Sequence, residues 1–311
     1  TETGSIIQST KFKGGELNLV TNNGNVEVTA MSGDLSIGSL SLGTGTATIE
    51  ASSGTINDAA SDTSIDFVAG SATLKGTSIG NSQPLEFGTV AALDLTASSG
   101  SISANSAAVS GTSLTASAGS GTISFENSTG ALEVASLNAG GTTSLTSSGA
   151  LTQTGPITNN GQSITLASGL SNDITLSNSS NDFGTVSINT ANNVILRDVS
   201  GLILNGITAS QVAGSLTLQT AGGMALALPA ITLGSGDNLA VTANGAISDS
   251  GSLIIPGTTT ISAVGMNVTF DDASNNFGTI GVTGSNVSVL DSDGIDLGVS
   301  TVSGTFGITS G

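Results

Sequence analysis

Three aspartates in one short run, Asp291, Asp293 and Asp296 of LDSDGIDLG, are the residues best typed and spaced for chemistry. Carboxylates spaced along a loop beside a glycine that turns sharply can offer hard oxygen ligands to calcium. The run lacks the bidentate glutamate that closes a helix–loop–helix calcium site. Its counterpart one repeat earlier, LRDVSGLIL, keeps only Asp198. A solvated acidic corner is the plainer reading, and calcium is the one cofactor the sequence suggests. A second acidic pair, Asp271-Asp272 in TFDDASNN, has the residue types of a two-carboxylate hydrolase. It has no basic neighbour in sequence, and the matching stretch LSNSSND puts Ser177 and Asn178 in its place. With no His, Cys or Tyr in the chain, the familiar nucleophile–base pairs are missing. The sequence reads as that of a protein without catalytic activity.

Composition narrows the partners. Charged residues make up 8% of the 311, against about 25% in ordinary globular chains. Net charge is -18, and the only basic residues are Lys11, Lys13, Lys75 and Arg197. Nucleic acid binding needs phosphate neutralisation by Lys and Arg, so it is disfavoured, as is electrostatic attachment to anionic membranes. No run of 18 apolar residues offers a membrane-spanning helix. The opening TETGSIIQST lacks the basic and apolar regions of a signal peptide, so the chain reads as an internal piece or a mature product. Without cysteine there is no disulfide framework. Val, Ile, Leu and Ala nevertheless recur throughout, unlike in a disordered polar chain.

The elements that must position these residues are announced by repetition. SSNDFGTV and ASNNFGTI carry the same phrase, and PLEFGTV echoes it, so Phe87, Phe183 and Phe277 are spaced by 96 and 94 residues. Ile49, Leu145 and Val241 recur at 96. Repeats of roughly 95 residues follow, divided at 1–41 (partial), 42–137, 138–233 and 234–311 (partial). Within them, strands begin near Val26, Ala47, Ala72, Leu93 and Leu114, and again near Val194, Leu216, Leu239, Ile261 and Val287. Four such turns are expected to make one repeat. Runs such as LTLQT and LAVTANG alternate apolar with Thr, Ser or Asn, the period-two pattern of a strand with one buried side. Gly, Asn and Asp mark the corners.

A turn of about 22 residues is too short for a propeller blade of about 40, and it suits one rung of a solenoid. The expected fold is all-β: one continuous parallel β-helix over 1–311, with about 13 rungs of roughly 21–26 residues. Small Ser, Gly and Ala are expected where its core pinches. In the repeated phrase, Asn turns the corner, Phe87, Phe183 and Phe277 fill the core, and Gly88, Gly184 and Gly278 let the backbone resume its strand.

The runs NDITLSNSSNDFGTVSI, NVSVLDSDGIDLGVSTVSG and GAISDSGSLIIPGTTTIS resemble the repetitive shaft of filamentous-haemagglutinin-like large bacterial exoproteins. The likeness covers most of the chain from about Ile49 onward. It implies a right-handed β-helix, secretion from a Gram-negative cell, an extracellular or cell-surface place, and a role in adhesion, aggregation or matrix building. The partners implied are neighbouring rungs or subunits of the same protein and components of cell surface or matrix. A subunit of a self-assembling filament or sheath is the close alternative. A carbohydrate-active β-helix enzyme is a remote one, because the Asp271-Asp272 pair has no basic neighbour, and so is an ice-binding solenoid, because outward Thr is mixed with Ser, Asn, Asp and Gln.

Overall fold

The computed structural model describes residues 6–10, 16–60, 62–81 and 83–311, the first of these as backbone only. Lys11 and Lys13 lie outside the described residues. No helix occurs among them, and all the strand pairings described are parallel, the arrangement of a β-solenoid. The described residues form about 14 coils, close to the 13 expected. The chain divides into two compact units, Thr1–Gln162 and Ser163–Gly311.

In the first unit, one face stacks Val26–Ala30, Thr46–Ala51, Ser71–Gly76, Ala92–Ala97, Thr112–Ala118 and Leu132–Ala139, each paired to the next. The column Val26, Ala47, Ala72, Leu93, Leu114 lies in register, as the spacing requires. Alternate residues point inward: in Thr112–Ala118 every second side chain is buried. Each strand ends on a residue too small to reach across the core. Ala30 stacks on Ala51, and Gly76, Ala97, Ala118 and Ala139 follow one another, so the core narrows where the chain must turn. A second face stacks Leu85–Phe87, Ile102–Ser106, Ile123–Asn127 and Thr143–Ser147. Above them it begins with Glu16–Val20, paired to Leu35–Ser41, whose own partners Ile56–Asp58 and Phe67–Val68 are separated by a longer loop.

The second unit has three faces. The first stacks Ile174–Leu176, Val194–Asp198, Leu216–Thr220, Leu239–Ala243, the second half of Leu253–Ser262, and Asn276–Gly284. The second stacks Leu226–Leu228, Ile247–Asp249, Val268–Phe270, Val287–Asp291 and Phe306–Ser310. The third runs from Ile207 through Ile231–Thr232 to Ile254 and Asn276, while Ile164–Ala167, Thr185–Thr190 and Ile203–Leu204 stack on one another in the earlier coils.

This geometry corrects one expectation. Four coils carry Val194 through Leu216, Leu239 and Thr259 to Ile280. The sequence repeat carries it instead to Val287, which opens the next face. The repeat therefore spans four coils plus one side of the triangle. Ile261 stays on the first face but pairs with Val282, and Val287 is not in its column.

Corners are tied by side chains that reach the backbone of the next coil. In the second unit Asp173 accepts from the Asn193 N–H at 3.0 Å, Asn193 from Ser215 at 2.9 Å, Ser215 from Asn238 at 3.0 Å, and Asn238 from Thr258 at 2.8 Å. A second ladder runs from Asn267 through Asn286 to Thr305. Corner amides have no strand partner, and a short polar side chain one coil away satisfies them. The Asn193 amide group holds the Asp173 carboxyl below its ordinary range, mainly through the backbone bond. The Thr55 N–H does the same for Asp34 in the first unit.

Phe183 is buried inside the second unit. Removing its ring should leave a cavity that costs about 3–5 kcal/mol. Urea denaturation of Phe183→Ala should show a loss of that size, and a change near zero would mean that the ring packs against nothing.

Candidate functional site

The residues singled out by the repeat do structural work of a definite kind. Phe183 and Phe277 are both buried and share a brace. The Phe183 N–H donates to Asp198 Oδ2 at 2.7 Å, and the Phe277 N–H donates to Asp291 Oδ2 at 2.8 Å. The other oxygen of each aspartate accepts the N–H two residues on, from Ser200 and from Asp293. The Asn181 carbonyl accepts from Val199, and the Asn275 carbonyl accepts from Ser292. Asn178 and Asp272 start the corner in the same way, each accepting the N–H two residues later. Thus Asp272 stands where Asn178 stands because both make the same turn. Its neighbour Asp271 donates its N–H to Asp249, as Asp272 does.

Phe87 is buried as well, but it is not their equivalent. It sits within the strand Leu85–Phe87, stacked on Phe67 with ring centroids 4.7 Å apart, and it pairs with Ser106 in the coil below. The three glycines also differ. A side chain on Gly278 would run into the carbonyl oxygen of Pro256. One on Gly88 would press at 3.1 Å on Ile65. Gly184 is buried. At Gly278 and Gly88 what excludes a side chain is close approach of a neighbour, more than freedom to resume a strand.

The aspartates proposed for calcium do not converge. Asp291 is buried, with both oxygens occupied by backbone N–H groups. Asp293 is exposed and accepts from the Asn276 amide at 3.0 Å. Asp296 is exposed in Asp296–Leu297, paired to Thr279 of the preceding coil. Among the described residues no group of three or more His, Cys, Asp or Glu could hold a metal ion. The alternation of a strand and the turn that follows Asp291 separate the three.

The arrangement closest to a chemical site is one the repeat does not mark. Asp66 and Glu86 occupy adjacent coils, each just before one of the stacked phenylalanines. They are 3% and 7% exposed, so two carboxyls are buried side by side. The Glu86 N–H donates to Asp66 Oδ2 at 3.0 Å, and the Asp66 N–H donates to the Glu86 carbonyl at 2.9 Å. Glu86 Oε2 is buried and meets no donor from another group among the described residues. A proton shared with Asp66 would satisfy it. Burial pushes the Glu86 carboxyl up to about 8, helped by its hydrogen bond to Asp66 and by the charges of Asp66, Asp58 and Asp62. Burial, reinforced by Asp58 and Asp62, raises Asp66 to about 6 against the opposing pull of the Glu86 N–H. Beside the pair opens a cleft of about 190 Å³, lined by Thr63, Ile65, Glu86, Phe87, Asn105 and Glu126, among others. Glu86, Asn105 and Glu126 form one column across three coils.

One signal could have exposed this pair. IDFV and LEFG place an acid before phenylalanine twice, 20 residues apart, which is one coil. That echo is far shorter than the repeat of roughly 95 residues and is independent of it.

Residues 120–190 and 213–283 each match a family described as repeats of unknown function (DUF5649). The two matches are offset by 93 residues, the separation of Asp198 and Asp291. They end before those aspartates, so the matched segments hold the corner phrase and the partner of the brace lies beyond them. No curated protein and no solved structure matches the chain.

The carboxyl pair sets a pH dependence of stability. Both groups titrate higher in the folded chain than in the unfolded one, so folding takes up protons. Their contribution is fully present below about pH 4 and is lost as pH rises through the range from about 6 to about 8. Asp34 and Asp173 act oppositely and lose their contribution only in acid. Thermal melts should show the first unit less stable near pH 8 than near pH 5, with the difference much reduced in Glu86→Gln. A melting temperature that rises with pH over this range would contradict the shared proton.

Proposed function

We propose that this chain is a structural, non-catalytic segment of a large bacterial surface or secreted protein, extracellular and acting in adhesion, aggregation or matrix. The observation that carries the reading is the use to which its polar residues are put. The asparagines and aspartates of the repeated phrase are spent on backbone bonds within and between coils, such as Phe183 to Asp198 and Leu253 to Asn275. A chain that repeats such braces is selected for coil stacking, and solenoids built this way gain stability from each nearest-neighbour interface. The resemblance to filamentous-haemagglutinin-like exoproteins supports secretion from a Gram-negative cell. The acidic composition suits a surface that repels its neighbours and stays dispersed.

Electron microscopy of the purified chain, with and without calcium, tests this reading. Isolated particles are expected in both conditions. Regular filaments formed by the chain alone would replace it with the filament-subunit reading, and assembly on adding calcium would restore a metal role to Asp291, Asp293 and Asp296. Release of reducing sugar from a panel of acidic polysaccharides would overturn its non-catalytic part.

A further inference from the structure

The segment Asp62–Asp66 joins the loop to the buried pair. Asp66 ends it, pinned between the Leu40 N–H, which its carbonyl accepts at 2.6 Å, and the Glu86 N–H, which its carboxylate accepts. Thr63 and Ile65 line the cleft together with Glu86 and Phe87. Ile65 lies over Gly88, whose missing side chain leaves the room it needs. Asp62 is tied back through its N–H to Asp58 Oδ2 at 2.9 Å.

The charged groups acting on the pair are all acidic. Asp58 and Asp62 come from the loop side, and Glu126 lines the far part of the cleft two coils on. The neighbours in register with the pair, Ser39 on one side and Asn105 on the other, are uncharged. One proton between Asp66 and Glu86 lets two buried carboxyls sit together. Its loss leaves two like charges in contact, with Asp58 and Asp62 adding to the repulsion.

We propose that the Asp66–Glu86 pair is a proton-held latch, which keeps Ile65 seated over Gly88 beside the Phe67–Phe87 stack and releases the segment Asp62–Asp66 as pH rises, widening the cleft. Acid-side closure and alkaline-side opening follow from the same like-charge contact. The direction agrees with the upward shift of both carboxyls. Release frees Ile65 and bares the edge of the aromatic stack, while the backbone ladder of Phe67 and Phe87 stays in place.

The chain has no cysteine, so a single nitroxide can be attached at Thr63→Cys in the full chain. Its spectrum should be immobilised at about pH 5 and dominated by a mobile component at about pH 9. A label at Val109→Cys, on an exposed corner of the same unit, should not change. In Glu86→Gln the amide N–H donates to Asp66 without titrating, so the Thr63 label should stay immobilised throughout. A Thr63 spectrum constant with pH, a change shared by Val109, or a transition that persists in Glu86→Gln would each overturn the latch. Hydrogen exchange of Asp62–Asp66 in the unaltered chain, corrected for intrinsic rates, gives the same decision should Glu86→Gln fold poorly. Faster exchange with rising pH, confined to that segment, is expected, and uniform protection would refute the latch.

Discussion

Every coil depends on the coil beside it for its hydrogen bonds. In a parallel ladder the N–H and C=O groups of a strand point along the stacking direction, so no coil satisfies itself. That constraint shapes the rest. Side chains alternate in and out because the strands are extended. The core narrows at the small residues that end the first-face strands of the first unit, because the chain turns there. At the corners, where the ladder lapses, a short polar side chain takes over, as Asn193 does for Ser215 and Asn238 does for Thr258.

The same constraint explains why the repeated phrase recurs at a distance that is not a whole number of coils. What recurs is a corner with its brace, and a triangular coil has more than one equivalent corner. Asp198 ends a strand of the first face and Asp291 ends a strand of the second, yet each receives the N–H of a buried phenylalanine from the coil before. The phrase can move to the next side of the triangle without changing its local chemistry. Duplication of a segment requires only that its ends meet the ladder in register, and an advance of one face meets that condition.

Much of the architecture was legible in the sequence. Alternation in LTLQT and the spacing of Val26, Ala47, Ala72, Leu93 and Leu114 identify strands stacked coil on coil, because period and rise are fixed by the backbone. The displacement of Val287 to a new face was not legible, since loops of different length between strands disguise where a coil closes. The role of Asp291 was equally hidden. Beside Asp293 and Asp296 it looks like an oxygen ligand, and only its burial and its bond to Phe277 show it to be a brace. The Asp66–Glu86 pair escaped because adjacency between coils depends on knowing the local coil length, here 20 residues rather than the average.

Register between coils tests the account most directly. The absence of native cysteine makes paired cysteines clean reporters. Ser262 and Thr283 face each other across neighbouring coils, whereas a register set by the long repeat would place Ser262 beside Ser288. Parallel neighbours about 4.8 Å apart lie within reach of a disulfide. Under mild oxidation Ser262→Cys/Thr283→Cys should cross-link within the chain and Ser262→Cys/Ser288→Cys should not. The opposite outcome would contradict the advance by one face.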